Sequence, residues 1–181
     1  MNRPLNHLIE TPRLILREFV LEDAFDIYEL NADPEVIRYT GDPPFETVEN
    51  ARHFLNNYKD YKNNGFGRWA VIHKDFDSFL GWCGLKLNEQ NLIDIGFRFF
   101  RREWNKGYAT EAAKACLEYG FIELNLKEII GRVALENKGS IKVLEKLSME
   151  YWKNDSCKGI ENSLYYKISK EQYLRNTKNG I

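Results

Sequence analysis

A short basic turn between a predicted strand and a predicted helix is the part of the sequence best suited to binding chemistry. The turn runs from Arg101 to Gly107 and enters the helix through its glycine. The first turn of a helix offers backbone N–H groups without intrahelical partners and the positive end of the helix dipole. That arrangement suits a phosphate or pyrophosphate group. Many strand–turn–helix units bind nothing, so the residues alone leave both interpretations open.

Two different periodicities flank this turn. Before it, apolar residues from Ile93 to Phe99 alternate with Asp94, Gly96 and Arg98, which is the period of a half-buried strand. After it, apolar residues recur from Ala109 onward with the spacing of one helix face. The sequence therefore predicts a strand, a turn and a helix in direct succession.

The same stretch resembles the acyl-CoA pyrophosphate loop of the GNAT N-acetyltransferase superfamily, usually written Q/R-x-x-G-x-G/A. Gly107 and Ala109 match its fourth and sixth positions, and Trp104 stands where the general pattern has Gln or Arg. A Trp followed by G-Y-A-T-E-A resembles the branch of ribosomal-protein-alanine N-acetyltransferases (RimJ/RimL-like). The segment T-P-R-L-I-L-R, which starts at Thr11, also resembles the opening of that branch.

A second segment, E-N-K-G-S-I-K-V-L-E-K-L, resembles the GNAT signature N-x-x-S/A-x-x-x-x-x-K-x-G-F. Asn137, Ser140 and Lys146 are in place, whereas Ser148 replaces the usual Gly and Met149 the usual Phe. The resemblance implies that Asn137 lies near the pantetheine arm of the cofactor. On its own, an Asn here is more often a turn or cap residue.

The resemblance also fails at one catalytic position. Many members carry a Tyr seven residues after the signature Asn, and it protonates the departing thiolate; here that residue is Leu144. Ser140 is then the candidate acid, directly or through water. The alternative is that its hydroxyl only caps the first turn of a helix.

The implied reaction is direct acyl transfer from acetyl-CoA to an amine. The oxyanion would be held by backbone N–H groups between Gly96 and Phe99. Asp94 is the first candidate for the general base, because it lies on the strand face opposite its apolar neighbours. Glu111 is the second candidate, but an acid in the first turn of a helix also simply complements the dipole.

The cofactor-binding residues follow from the two signatures and their flanks. Arg101, Arg102, Lys106 and Lys138 are candidates for contacts to the CoA phosphates, although an isolated charge run is also compatible with a solvated face. Arg102 and Lys106 are favoured because the glycine turn lies beside them. The predicted set is Phe97, Arg98, Phe99, Arg102, Asn105, Lys106, Gly107, Tyr108, Ala109, Thr110, Asn137 and Ser140. The aromatic residues Tyr28, Tyr39, Trp69 and Trp82 are candidates for the acceptor site, with core packing as the alternative.

Composition restricts the class of protein. A chain of 181 residues fits one domain, 1–181, and 43% hydrophobic and 14% aromatic content excludes disorder as its main state. The net charge of −1 argues against a nucleic-acid partner. No apolar run has the length of a membrane span, and the N-terminus lacks a signal-peptide core. Three scattered cysteines, Cys83, Cys116 and Cys157, favour a reducing cytoplasm, and the three histidines suggest no metal.

Periodicity and breakers predict the element order β-α-α-β-β-β-α-β-α-β-β. This order implies an α/β (α+β) chain with a mixed sheet of about seven strands and helices on both faces. It also resembles the GNAT acyl-CoA N-acyltransferase fold, and this resemblance implies that the sheet is mostly antiparallel. The remaining predicted strands are 11–19, 67–73, 79–87, 127–135, 149–153 and 163–169. The remaining predicted helices start at Leu21 and end before Asp33-Pro34, start at Val48 and end at Asn63-Asn64-Gly65, and span 138–147, with a short turn or helix at 34–40.

Three functional classes are compatible with these residues. The first is an acetyl-CoA-dependent N-acetyltransferase that acts on a primary amine, with a protein N-terminal residue as one acceptor and a homodimer as the expected assembly. The second is a non-catalytic acyl-CoA-binding module, which Leu144 motivates. The third, a hydrolase with Cys83 as nucleophile, has no recognisable histidine partner.

Overall fold

The computed structural model describes residues 7–157 and 159–178, which form eight strands, seven α-helices and two short 3-10 helices. The expectation that the N-terminus lacks a signal-peptide core rests partly on residues 1–6, which lie outside the described residues. The strands are β1 (His7–Glu10), β2 (Leu14–Arg17), β3 (Arg68–His73), β4 (Ser78–Leu87), β5 (Ile93–Phe99), β6 (Glu128–Val133), β7 (Glu150–Cys157) and β8 (Ile160–Ser169). The helices are α1 (Ala24–Ala32), α2 (Pro34–Ile37), α3 (Val48–Asn56), α4 (Asp60–Asn64), α5 (Tyr108–Ile122), α6 (Lys138–Lys146) and α7 (Lys170–Lys178).

One sheet contains all eight of these strands in the order β1-β2-β3-β4-β5-β6-β8-β7. Neighbouring strands are antiparallel except for β5 and β6, which are parallel. The predicted mixed, mostly antiparallel sheet is confirmed, with eight strands in place of about seven.

Helices cover both faces of the sheet. Strand β3 shows the division, because Trp69 and Val71 belong to one core cluster while Ala70 and Ile72 belong to the other. The first cluster packs against α5, which contributes Ala112, Ala113, Cys116, Leu117 and Phe121. The second cluster packs against α1, α2 and α3. The sheet is therefore buried on both sides near its centre, where the signature strand lies.

Several predicted boundaries are wrong, each for a local reason. The predicted strand 11–19 is shorter, because the N–H of Thr11 donates to the carbonyl of Leu14 in a turn. The predicted helix that starts at Val48 was expected to continue to Asn63-Asn64-Gly65, but it ends at Asn56, and a separate short helix follows it. That helix, α4, ends at Gly65, which has a left-handed φ of 77°.

Two elements, β1 and α7, were missed altogether. Helix α7 has no buried residue, so its sequence lacks the apolar stripe that marks a helix on a core. Strand β1 is four residues long and pairs along only one edge. In the described ranges no helix is long and apolar enough to cross a membrane.

The parallel pair β5–β6 is the feature that opens the sheet. The two strands pair only at Asp94 with Ile130 and at Ile95 with Gly131. From Gly96 to Phe99, β5 continues to pair with β4 while its other edge is not paired with β6. A gap therefore starts in the middle of the sheet, beside the turn that the sequence singled out.

Candidate active site

A groove of about 600 Å³ lies between the open edge of β5, the N-terminus of α5 and helix α6. We call it the donor groove. Ten of the twelve predicted cofactor-binding residues line it: Phe97, Arg98, Phe99, Asn105, Gly107, Tyr108, Ala109, Thr110, Asn137 and Ser140. The chain thus brings both signature segments to one cavity, although about 30 residues separate them in sequence.

The N-terminus of α5 faces this groove with its backbone exposed. Gly107 is the N-cap residue, with φ of 84°, and no side chain caps the helix there. The first intrahelical bond runs from the N–H of Glu111 to the carbonyl of Gly107. The N–H groups of Tyr108, Ala109 and Thr110 precede that bond, so a helix leaves them without intrahelical acceptors. Because the residue at the entry is a glycine, no side chain there prevents a ligand from approaching this backbone.

A hydrogen-bonded network fixes this helix end to the sheet. The carboxylate of Glu111 accepts hydrogen bonds from the Thr11 hydroxyl at 2.7 Å, from the Arg13 backbone N–H at 3.0 Å and from Arg13 Nε at 2.7 Å. Burial acts to raise the pKa of Glu111, but these bonds hold it below its ordinary value. Arg13 also donates to the carbonyl of Lys106 at 3.1 Å. Glu111 therefore positions the turn, which agrees with the structural interpretation of this residue.

The positive charge of the groove comes from α6 and not from the turn. Arg102 and Lys106 both contact Glu103, at 3.5 Å and 3.0 Å, and neither lines the groove. Lys138, Lys142 and Lys146 do line it, at the i, i+4 and i+8 positions of one helix face. Sequence reasoning named Lys138 among the phosphate candidates but missed the other two. The four-residue spacing of the three lysines was the sequence signal that they lie on one helix face.

The open edge of β5 supplies backbone donors at the end of the groove. The N–H of Phe100 donates to the carbonyl of Leu80 in β4. Since alternate residues of an antiparallel strand bond to the same neighbour, the N–H groups of Phe97 and Phe99 point away from β4, into the gap. The Trp104 indole donates to the carbonyl of Phe99 at 2.9 Å, which agrees with this direction.

A second cavity, of about 160 Å³, adjoins the donor groove, and we call it the acceptor cavity. The two cavities share six lining residues: Tyr39, Thr40, Phe97, Arg98, Asn137 and Ser140. Asn137 caps α6, because its Oδ1 accepts the backbone N–H of Ser140 at 3.1 Å. Ser140 is thereby held where the cavities meet, and Leu144 lies in the apolar wall of the acceptor cavity.

Asp94 is buried between two arginines in the acceptor cavity. Its side chain is 4% exposed, Arg68 donates to one of its oxygens at 2.5 Å, and Arg132 donates to the other. Burial acts to raise the pKa of Asp94, but the charges and hydrogen bonds of Arg68 and Arg132 hold it below its ordinary value. A carboxylate in this state is a weak proton acceptor.

Gly96 makes this arrangement possible. A Cβ at residue 96 would lie 2.6 Å from the guanidinium of Arg68, which crosses the sheet there to reach Asp94. The sequence placed Asp94 and Gly96 on one strand face, but it gave no signal that Arg68 and Arg132 would meet there. Together with Lys142 and Lys146, these two arginines are the candidate site residues that the sequence did not indicate.

Arg98 reaches across to the loop that flanks the cavity. Its guanidinium donates to Asn31 in α1 and to Asp42 at 2.7 Å, and its side chain is 8% exposed. Its Nε is buried, and within the described residues it has no hydrogen-bond partner. Burial lowers the pKa of Arg98, but the group remains a cation at neutral pH.

The aromatic candidates for the acceptor site divide into two pairs. Tyr39 and Trp82 line the acceptor cavity, and the Trp82 ring lies beneath the guanidinium groups of Arg68 and Arg98, about 5 Å from each. Trp69 is 1% exposed in the core, and Tyr28 packs against the cluster under α1 and α3. For this second pair, core packing is the correct interpretation.

Cys83 does not form a nucleophilic site. It is 0% exposed, and its Sγ lies 3.6 Å from that of the equally buried Cys116. Burial raises the pKa of Cys116 well above its ordinary value, so its thiol stays protonated. The side chain of Cys157 is outside the described part of the structure. Among the side chains that the structure does describe, no group of three His, Cys, Asp or Glu is placed to hold a metal ion.

Known proteins are similar to this chain in sequence and in fold. The family model described as an acetyltransferase (GNAT) domain matches residues 13–150. YnaD of Bacillus subtilis (strain 168), named an uncharacterized N-acetyltransferase, is 37% identical over 173 residues, which cover 91% of this chain and 98% of YnaD.

Solved structures agree with that match. A GNAT-family acetyltransferase from Bacillus anthracis is 34% identical, with a TM-score of 0.76, and the match covers 90% of this chain and 98% of that one. The spermidine N-acetyltransferase of Vibrio cholerae, solved with CoA and spermine, has a TM-score of 0.76 at 21% identity. The match with the latter covers 91% of this chain and 99% of that one, and at this identity it supports the fold alone.

These matches decide among the three functional classes. The relatives are named as N-acetyltransferases, which favours an enzyme over a non-catalytic binding module and contradicts a cysteine hydrolase. Acetyltransferases of the GNAT family use acetyl-CoA, and the donor groove offers a place for that molecule. The chain belongs to the GNAT acetyltransferase family, has its fold, and is an N-acetyltransferase.

Proposed function

We propose that the chain transfers the acetyl group of acetyl-CoA to a primary amine at the junction of the donor groove and the acceptor cavity. The observation that carries this proposal is the set of six residues common to both cavities, at the point where β5 and β6 separate. Holding both reactants at one junction removes much of the entropic barrier to a two-substrate reaction.

The pyrophosphate of the donor binds at the N-terminus of α5. The N–H groups of Tyr108, Ala109 and Thr110 are the donors, and the dipole of a helix of 15 residues favours the negative charge. Lys138, Lys142 and Lys146 add positive charge along the opposite wall. Arg102 and Lys106 remain predicted phosphate contacts, which would require them to leave Glu103.

The thioester lies against the open edge of β5. The N–H groups of Phe97 and Phe99 then polarise its carbonyl and hold the oxyanion that forms when the amine attacks. Fixed donors of this kind usually supply the largest electrostatic part of catalysis in acyl transfer. The carbon–sulfur bond breaks as the carbon–nitrogen bond forms, and the CoA thiolate leaves toward the donor groove.

We propose a positioning role for Asp94 in place of the general-base role that the sequence predicts. Its lowered pKa makes direct removal of an ammonium proton unfavourable. Its two oxygens instead hold Arg68 and Arg132 in the wall of the acceptor cavity. The attacking amine then loses its proton to solvent in the cavity.

Ser140 is the proposed acid that protonates the departing thiolate. A Ser140→Ala variant is expected to lower kcat by about 100-fold, within the range of ~10²–10⁴ for general acids. The variant keeps the backbone N–H that bonds Asn137 Oδ1, so helix α6 should be retained, and any change in acetyl-CoA affinity should be small beside the loss of kcat. Steady-state kinetics measures kcat, and calorimetry measures the acetyl-CoA affinity.

The matched control is Ser156→Ala, at an exposed residue of β7 that lines neither cavity. An unchanged kcat in Ser140→Ala would exclude this role.

The acceptor, the assembly and the compartment remain predictions. The resemblance to the RimJ/RimL-like branch implies a protein N-terminal residue as acceptor, and related enzymes favour a homodimer. The adjacent free thiols of Cys83 and Cys116 support a reducing compartment such as the cytoplasm.

Calorimetry and thiol release together test the proposed function. Titration with acetyl-CoA is expected to give saturable binding at one site, and an amine acceptor should release free CoA thiol in proportion to acetylated product. Absence of acetyl-CoA binding up to millimolar ligand would overturn the proposal. Binding without thiol release from any amine in a broad panel would instead favour the non-catalytic module.

A further inference from the structure

Arg13, in the opening segment of the chain, contacts the turn before α5 on both sides of Gly107. Its guanidinium donates to the carbonyl of Lys106 at 3.1 Å and lies 2.6 Å from the carboxylate of Glu111. The same guanidinium lies over the ring of Tyr108, 4.5 Å from the ring centroid. A single side chain from a distant part of the sequence therefore contacts the residue before this glycine and the first turn of the helix after it.

The bond to Lys106 fixes the direction of one peptide unit. A peptide unit is planar and almost always trans, so its C=O and N–H groups point in opposite directions. The unit that joins Lys106 to Gly107 directs its carbonyl toward Arg13, and its N–H consequently points away from Arg13. Gly107 lines the donor groove and Arg13 does not. The N–H of Gly107 is therefore directed toward the donor groove.

This N–H is a further donor for an anion in the groove. Within the described part of the chain, neither a backbone carbonyl nor a capping side chain accepts it. Gly107 is left-handed, with φ of 84°, and the right-handed helix follows at once. Successive N–H groups in such a left-to-right step form a concave site for anions. The N–H groups from Gly107 to Thr110 are then one continuous set of four donors.

Arg13 also compensates a negative charge beside this set of donors. Glu111 lies in the first turn of α5, and its lowered pKa keeps the carboxylate ionised at neutral pH. Its side chain is 18% exposed, so solvent screens the charge only in part. Without a cation beside it, this carboxylate would repel a diphosphate at the same helix end.

We infer that Arg13 is a positioning residue for the diphosphate of acetyl-CoA. It acts through the carbonyl of Lys106 and the carboxylate of Glu111 and does not itself touch the ligand. This inference rests on the proposed function and adds the N–H of Gly107 to its three backbone donors. The reacting atoms lie at the junction of the two cavities, so Arg13 should affect donor binding and leave the chemical step unchanged.

Arginine variants test this role through a split between affinity and turnover. Arg13→Gln is expected to raise the Kd of acetyl-CoA by about tenfold, a difference of about 1.4 kcal/mol. At saturating acetyl-CoA its kcat should stay within about twofold of the wild-type value. Arg13→Lys keeps the charge but not the planar fork of donors, so its Kd should be intermediate. Calorimetry measures Kd, steady-state kinetics measures kcat, and denaturant unfolding reports whether each variant is folded.

Arg52→Gln is the matched control. The Arg52 side chain is 46% exposed against 42% for Arg13, pairs with Glu49 at 3.4 Å and donates to the carbonyl of Leu21 at 3.5 Å. It lines neither cavity, so its substitution should leave the Kd of acetyl-CoA unchanged. An unchanged Kd in a folded Arg13→Gln, or in Arg13→Lys if only that variant folds, would overturn the inference. An equal rise in Arg52→Gln would overturn it as well.

A second pair of ligands identifies which phosphate Arg13 serves. CoA carries a phosphate on its ribose in addition to the diphosphate, and dephospho-CoA lacks only that ribose phosphate. Arg13→Gln should raise the Kd of both ligands by the same factor, because both contain the diphosphate. A rise confined to CoA would contradict the inference and leave the proposed function intact. Absence of acetyl-CoA binding by the unmodified protein would instead contradict the proposed function itself.

Discussion

An Asp94→Asn variant is expected to lose about 3–5 kcal/mol of its free energy of unfolding, the usual cost of breaking a buried ion pair. The substitution keeps the size of the side chain but leaves Arg68 and Arg132 as buried cations without their shared carboxylate. Denaturant unfolding of the wild type and the variant measures the difference. Asp155→Ala is the control, because it removes an exposed carboxylate paired with Lys153 and should change stability little.

The same ion pairs determine a pH dependence. Because the folded pKa of Asp94 is lowered, its stabilising contribution is present above its ordinary pKa of 3.8 and is lost as the pH falls through the folded value. The stability difference between wild type and Asp94→Asn should therefore narrow in acid, below about pH 3.8. A loss of less than about 1 kcal/mol at neutral pH would mean that the pair contributes little.

Replacing Gly107 by valine is expected to reduce acetyl-CoA affinity by roughly ten- to a hundredfold. Residue 107 has φ of 84°, where a β-branched side chain is strained, and its backbone borders the donor groove. Hydrogen bonds to charged groups contribute about 1.5–3 kcal/mol each, so loss of one such bond accounts for a change of that size. Calorimetry with acetyl-CoA measures the effect directly.

Gly65 offers a matched control for this substitution. It has a similar φ of 77°, ends helix α4 and lines neither cavity. Gly65→Val should carry the same backbone strain, of about 1–2 kcal/mol, without any effect on acetyl-CoA affinity. Equal affinity losses in both variants would show that strain and not the phosphate site explains the result.

The parts of the site that could be predicted from the sequence depend on interactions between residues close together in the chain. The strand from Ile93 to Phe99 has the predicted bounds because its alternate apolar residues all pack into the core cluster beneath α5. Helix α6 begins at Lys138 because Asn137 caps it through the N–H of Ser140, which is a contact over three residues. Signals of this kind depend on near neighbours, so the sequence itself carries them.

The cluster of two arginines around Asp94 was not predicted, because it depends on how distant strands align in the sheet. Arg68, Asp94 and Arg132 come from three strands, and their meeting depends on how β3, β4, β5 and β6 align. No local pattern marks an arginine as the partner of a carboxylate 26 or 38 residues away. Helix α7 was missed for a different reason. None of its residues is buried, so its sequence lacks the apolar periodicity that predicts a helix.

The separation of β5 from β6 also bears on whether the proposed reaction needs a covalent acetyl–enzyme intermediate. In the proposed function acetyl-CoA occupies the donor groove beside α5 and α6, and the amine occupies the acceptor cavity beside Arg68 and Trp82, so the two reactants meet at the residues that both cavities share. Neither has to depart before the other arrives. A ternary complex is then sufficient for turnover, and no covalent relay through a protein side chain is required.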